Sequence, residues 1–330
     1  MTTAGHLLLR RQKVGTVLKR LKWVSKQVLV VASISAMPTA VIAQTIELTR
    51  VADLLGGEVL NLADAPRSGA LVPMPTNGGW LYAGYLERWA WGQFDPNGQL
   101  NRVGGKEWIA GGPGEFRNVR AVLPLSGDTL LVLEPYNAHR VLIDGTYVDT
   151  RPIPFNPGPR WASHGGKLWI SGQSLRVAGM PLMRIDMNGD LEVFRIQARG
   201  TEEQQVGVHP VSWSGELWVW EYPRGPLRRI DTASGQVAES WDPPIGRAGS
   251  DTWGAFAVTG PDDTIIFRID PTFEWVAFDN QRNKILTQPI PPEYRGVYFI
   301  NEAFGRAYAS ENEPVHYLSG IRVYRYRIVR

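Results

Sequence analysis

An apolar residue followed by aspartate, a tight turn and a return to apolar residues recurs five times along the chain, at intervals of 42 to 49 residues. The copies open at Phe94-Asp95, Ile143-Asp144, Ile185-Asp186, Ile230-Asp231 and Phe278-Asp279. In such turns the aspartate caps backbone amides, and a glycine such as Gly98 or Gly189 supplies positive φ. A spacing this constant means one supersecondary unit copied along the chain, and about 45 residues accommodate four short strands.

A second signal keeps step with the first. Leu81-Tyr82-Ala83, Leu130-Leu131-Val132, Leu168-Trp169-Ile170, Leu217-Trp218-Val219, Ile265-Ile266-Phe267 and Ala307-Tyr308-Ala309 are short apolar runs, and turn signals such as Asn77-Gly78-Gly79 and His164-Gly165-Gly166 precede them. In four of the first five copies the aspartate follows 14 residues later, and in the third 18. Six copies predict an all-β fold, a six-bladed β-propeller over residues 47–330. The sixth copy is incomplete, because only one alternating stretch, Ile321 to Ile328, follows Ala307-Tyr308-Ala309. An open ring would leave a raw sheet edge. The missing outer strand is expected from Thr45 to Val51, with Ile46, Leu48 and Val51 paired, so that the N-terminal strand closes the propeller.

Thirty-five Gly and 24 Pro in 330 residues suit a chain of many turns. The absence of cysteine excludes disulfides, a thiol nucleophile and Cys-ligated zinc. The formal charge of +3 is unevenly divided: residues 1–43 hold seven basic side chains and no acidic one, which leaves 28 basic against 32 acidic in the remainder. A mildly acidic folded domain argues against nucleic acid as partner.

Residues 1–27 read as a basic amphipathic cytoplasmic leader. Val14, Val17, Leu18, Leu21 and Val24 recur at helical spacing, Lys19, Arg20, Lys22 and Lys26 take other faces, and Trp23 suits an interface. Such a helix would lie on an anionic membrane surface. Residues 28–46 carry no charge over nineteen positions, about 28 Å of helix, enough for one transmembrane signal-anchor. The alternative is a signal peptide cleaved after residue 43, at Val41-Ile42-Ala43. Either way the basic flank stays inside and the propeller is exported. The expected location is the bacterial inner membrane, N-terminus cytoplasmic and propeller periplasmic.

Gly111-Gly112-Pro113-Gly114-Glu115-Phe116 resembles the blade-opening signature of bacterial six-bladed propellers of the NHL-like class, and Gly246-Arg247-Ala248-Gly249 resembles a second, worn copy. The resemblance spans residues 45–330 and implies a fold, with the glycines and proline shaping the crossing between blades. The remaining blades lack the signature, as at Gly200-Thr201-Glu202-Glu203.

No phosphate loop, dinucleotide fingerprint, nucleophile elbow or His-Glu-x-x-His helix is present. Asp186-Met187-Asn188-Gly189-Asp190 starts like a calcium loop, but its twelfth position is Gln197, so it reads as a turn. His164, His209 and His316 are the candidates for a metal in the axial channel, where some propellers of similar fold carry out lyase or lactonase reactions; no cofactor is expected. His139, in a hairpin, is expected to face solvent. Twelve of the 13 tryptophans fall in the repeats. Trp169, Trp218 and Trp220 are expected between blades, whereas Trp89, Trp91, Trp108, Trp161, Trp241 and Trp253 lie nearer turns and are candidate partner anchors.

With no nucleophile and base recognisable in the sequence, and with a membrane tether, the chain reads as a non-enzymatic accessory subunit. It would bind and stabilise an integral membrane protein complex, in the manner of accessory subunits of bioenergetic or photosynthetic reaction-centre assemblies. Two alternatives stay open: a periplasmic lactonase- or lyase-type enzyme with a channel metal, and a sensor of a small ligand or glycan.

Overall fold

The computed structural model describes residues 44–329 apart from 55–69, 76, 87–88, 108–111, 174–179, 197–206, 223–224, 246–254, 261, 270–271, 296, 304–305 and 313–320. Among these the only helical element is one 3-10 turn, Pro292–Tyr294; nearly everything else is strand or turn.

Each aspartate turn closes a hairpin between the last two strands of a sheet. Asp95 Oδ1 accepts the amides of Asn97 and Gln99 at 2.8 and 2.9 Å. Asp186 does the same for Asn188 and Asp190, and Asp279 for Gln281 and Asn283. Gly98, Gly145, Gly189 and Gly235 take positive φ in four of these turns, and Arg282 (φ 68°) takes it in the fifth. That strain is offset by the Arg282 side chain, which pairs with Glu239 and lies over the Trp218 and Trp241 rings.

The strands form six sheets. Sheet 1 holds Ala70–Pro73, Trp80–Leu86, Trp89–Phe94 and Leu100–Glu107, with the short Glu115–Phe116 added in parallel. Sheet 2 holds Ala121–Pro124, Thr129–Glu134, Asn137–Leu142 and Tyr147–Pro152. Sheet 3 holds Asn156–His164, Lys167–Gln173, Met180–Ile185 and Leu191–Ile196; sheet 4 holds Gly207–Trp213, Glu216–Tyr222, Leu227–Ile230 and Val237–Trp241. Sheet 5 holds Ala255–Thr259, Ile265–Ile269, Glu274–Phe278 and Lys284–Pro289. Sheet 6 holds Val297–Ala303, Arg306–Asn312, Ile321–Val329 and, from the other end of the chain, Thr45–Leu54.

Apart from Glu115–Phe116 the strands pair antiparallel, neighbouring sheets pack face on face, and the first strands of sheets 1 to 6 lie side by side in chain order, which is a β-propeller arrangement. Apolar side chains fill the seams. Trp169, Phe194 and Ile196 of sheet 3 meet Val208, Leu217 and Val219 of sheet 4. Trp213, Trp218 and Trp220 of sheet 4 meet Phe267 and Phe278 of sheet 5. Ile266 and Trp275 of sheet 5 meet Tyr324 and Tyr326 of sheet 6, while Ala52, Leu54 and Val323 of sheet 6 share a core with Leu71 and Leu81 of sheet 1.

Thr45–Leu54 pairs antiparallel with Ile321–Val329, Ile46 opposite Ile328 and Leu48 opposite Tyr326. Gln288 of sheet 5 clamps the same strand by accepting the Ile46 amide at 2.7 Å. The strand spans Thr45–Leu54, so residues 45 and 46 are ladder residues. One expectation is corrected. Val51 sits at the register shift between Arg50 and Ala52, unpaired with the last strand and 37% exposed. The leader residues Lys19, Arg20, Lys22, Trp23 and Lys26 lie outside the described residues, and among the described residues no helix is long and apolar enough to cross a membrane.

Two outcomes are expected in thermal unfolding. Deleting residues 44–54 removes a paired strand and the buried Ile46 and Leu54, and Ile46→Ala alone should cost about 2–4 kcal/mol; a transition unmoved by the deletion contradicts the pairing. Asp279→Ala should cost about 1 kcal/mol through two lost turn hydrogen bonds, measured as a shift of the denaturation midpoint at unchanged slope.

Candidate functional site

The first strands of sheets 3, 4 and 5 lie side by side, and a row of polar side chains crosses them near one end. His164 ends the first strand of sheet 3, and its Nδ1 lies 3.2 Å from Ser212 Oγ in sheet 4. The Ser212 amide donates to Thr259 Oγ1 of sheet 5 at 3.1 Å, and the Thr259 carbonyl accepts the Tyr326 hydroxyl of sheet 6 at 3.1 Å. Trp169 Nε1 donates to the His164 carbonyl, fixing the strand end beneath the imidazole. Burial holds the His164 pKa below its usual value, and the field of Glu216 opposes this more weakly. A neutral imidazole beside a half-buried hydroxyl can accept that hydroxyl's proton.

His209 does not join this row. It precedes Ser212 by three residues on the same strand, about 10 Å at the rise of a β-strand. Burial first, and the positive charge of Arg160 second, hold it well below the usual histidine range. The third metal candidate, His316, lies outside the described residues. Among the described residues no three His, Asp or Glu side chains are grouped as metal ligands.

A second constellation, missed in the sequence, surrounds His139. Glu134 ends the second strand of sheet 2 and is 8% exposed. Its Oε1 accepts the amides of Arg117 and Asn118 at 2.5 and 2.8 Å, and its Oε2 lies 3.1 Å from His139 Nε2. The Glu134 pKa is lowered: desolvation pushes it up, and the bonds from His139, Asn118 and Arg117 together outweigh it. Phe116 packs edge-on against the imidazole at 5.2 Å. His139 is 12% exposed at its side chain and so does not face solvent as expected. The hairpin at Tyr136 (φ 66°) folds it back over the buried acid.

Of the crossing motif, Gly111 lies outside the described residues. The Gly112 amide donates to Glu115 Oε2, the Lys106 amide donates to the Gly114 carbonyl, and Phe116 is buried against Trp91. The motif thus seats the chain between sheets 1 and 2. Trp91 and Trp161 are buried, and Trp241 stacks on Trp213 at 5.1 Å, so these are packing residues and not exposed anchors. Trp108 and Trp253 lie outside the described residues.

No family model and no curated sequence matches the chain. Solved structures do. Virginiamycin B lyase from Staphylococcus aureus superposes with TM-score 0.54 at 10% identity, covering 87% of this chain and 100% of that one. A luciferin-regenerating enzyme gives 0.54 at 9% identity over 86% and 95%, and regucalcin, a calcium-binding protein from Agrobacterium tumefaciens, gives 0.53 at 13% over 81% and 92%. At these identities the likeness establishes the β-propeller fold alone. It nevertheless corrects the non-enzymatic expectation, because two of these neighbours are enzymes by name. A missing sequence motif is no argument against catalysis on this fold.

Two half-buried imidazoles give the fold a defined acid response. Both His164 and His209 have folded-state values below their unfolded ones. As pH falls through about 6.5 the unfolded chain therefore takes up the more protons, and stability drops. Urea midpoints measured between about pH 7.5 and about pH 5 should fall with pH, and His209→Gln should flatten that slope; an equal slope in the variant contradicts the assignment.

Proposed function

We propose that the protein is an enzyme, a six-bladed propeller closed by its N-terminal strand, that opens lactones or related esters at the end of its axial channel. The observation that carries this reading is the 3.2 Å approach of Ser212 Oγ to the Nδ1 of an imidazole whose pKa burial lowers. His164 is the general base, Ser212 the nucleophile, and Glu216 stabilises the imidazolium that forms. Six sheets, the pairing of Thr45–Leu54 with Ile321–Val329 and the core shared by sheets 6 and 1 support the closed ring. Export to the periplasm, with residues 1–43 as leader, belongs to the same reading; the basic flank and the uncharged stretch support it.

The test is a panel of lactones and aryl esters in ¹⁸O-labelled water. Hydrolysis incorporates the label in the acid product, whereas elimination does not. His164→Gln and Ser212→Ala should each lower kcat/KM by about 10²–10⁴, with unfolding midpoints close to wild type. Turnover that survives both substitutions overturns the site, and eliminated product without label moves the reaction to the lyase class.

A further inference from the structure

We propose a second, independent nucleophilic site on the outer half of sheet 2: an acyl-accepting hydroxyl at Thr150, with His139 as its base and Glu134 as the acid that orients the base. Glu134 Oε2 lies 3.1 Å from His139 Nε2, and His139 Nδ1 lies 2.7 Å from Thr150 Oγ1. Carboxylate, imidazole and hydroxyl thus stand in line, each at hydrogen-bond distance, the arrangement that activates a hydroxyl nucleophile. The acid is buried, the imidazole is half-buried and the hydroxyl is exposed. Tyr147 OH lies 2.6 Å from Thr150 Oγ1, close enough to donate to it or to charge developing beside it.

A purely structural role explains less than the whole arrangement. Sheet 4 places residues at equivalent ladder positions. Glu221, next to last in the second strand of that sheet, stands two residues beyond Val219 as Glu134 stands two beyond Val132, and it pairs with Arg228 at 2.6 Å. Arg228 faces Val219 across the ladder as His139 faces Val132, and Ser240 faces Arg228 as Thr150 faces His139. The chain therefore sets an acid, a nitrogen-bearing side chain and a hydroxyl residue at matching ladder positions twice. In sheet 4 the central residue is an arginine, which carries a permanent charge and cannot take a proton. If holding the acid were the whole task, arginine would serve in sheet 2 as well. Of these two sheets, sheet 2 is the one that places a proton acceptor beside the hydroxyl.

The step balances without a cofactor. Thr150 Oγ1 bonds to the acyl carbon of an ester while its proton passes to His139 Nδ1. The carbon–oxygen bond to the alcohol breaks, and the alcohol leaves with that proton. Water then attacks the acyl-threonine, giving one proton to His139; the acid leaves, and the proton returns to Thr150 Oγ1. The site is open on the surface of a sheet, so the substrate class is an exposed ester or other acyl donor.

An alkyl fluorophosphonate, whose phosphorus takes the place of the acyl carbon and whose fluoride leaves, reads the site directly when the labelled peptide is mapped by mass spectrometry. Thr150 should be labelled in the intact protein and in His164→Gln and Ser212→Ala, and Thr150→Ser should still be labelled at position 150. Thr150→Val should abolish the label. His139→Arg, which copies the residue of sheet 4, should lower the labelling rate at least tenfold with an unchanged unfolding transition. A folded wild-type protein unlabelled at Thr150, or a rate unaffected by His139→Arg, overturns the proposal. Since the channel variants act on another hydroxyl, failure here leaves the Ser212 site standing, and the converse holds.

Discussion

The inner strands of these sheets are apolar on both faces, and that constraint organises the rest. Ile265–Ile269 is buried at all five positions. Side chains alternate across a strand, so Ile266 goes to the seam with sheet 6, while Ile265 and Phe267 go to the seam with sheet 4. A sheet of this kind has no face to give to water, so each must be covered twice. The chain meets the demand by setting sheet 6 against both sheet 5 and sheet 1, and by building sheet 6 from both ends of the sequence.

Packed apolar seams leave the crossings between sheets as the place where buried backbone needs polar partners, and second-strand side chains supply them. Ser171 donates to the Val208 carbonyl, Arg268 donates to the carbonyls of Val297 and Arg295, and Glu134 accepts two amides at the start of its own sheet. Each of these groups is buried, and each is satisfied by the backbone it holds. The first strands are thereby fixed at one end, and the row His164, Ser212, Thr259 crosses three of them. Neighbouring strands fixed in register can bring a hydroxyl and an imidazole 48 residues apart to 3.2 Å.

The fold was readable because the aspartate turns are local. An aspartate bonding amides two and four residues ahead needs only its own hairpin, so its period survives in the sequence. His164 was recognisable beside its Gly165-Gly166 turn, but its partner Ser212 was not, because register between sheets is a tertiary property. His139 misled for the same reason: a hairpin reads as exposed, and only Glu134 and Phe116 packing from either side bury it. The strand starting at Thr45 was legible from its own alternation, although Thr45 and Ile46 also end an uncharged run. Val51 failed to pair because a bulge, invisible to alternation, displaces it.

The account turns on one neutral imidazole hydrogen-bonded to one serine. Long-range ¹H–¹⁵N NMR of the His164 ring reads that state directly. Near pH 6.5 a free histidine is about half protonated; His164 should be less protonated than that there, and Ser212→Ala should move its Nδ1 resonance while leaving that of His209 in place. A His164 that titrates like a free imidazole and is indifferent to Ser212 would contradict the account.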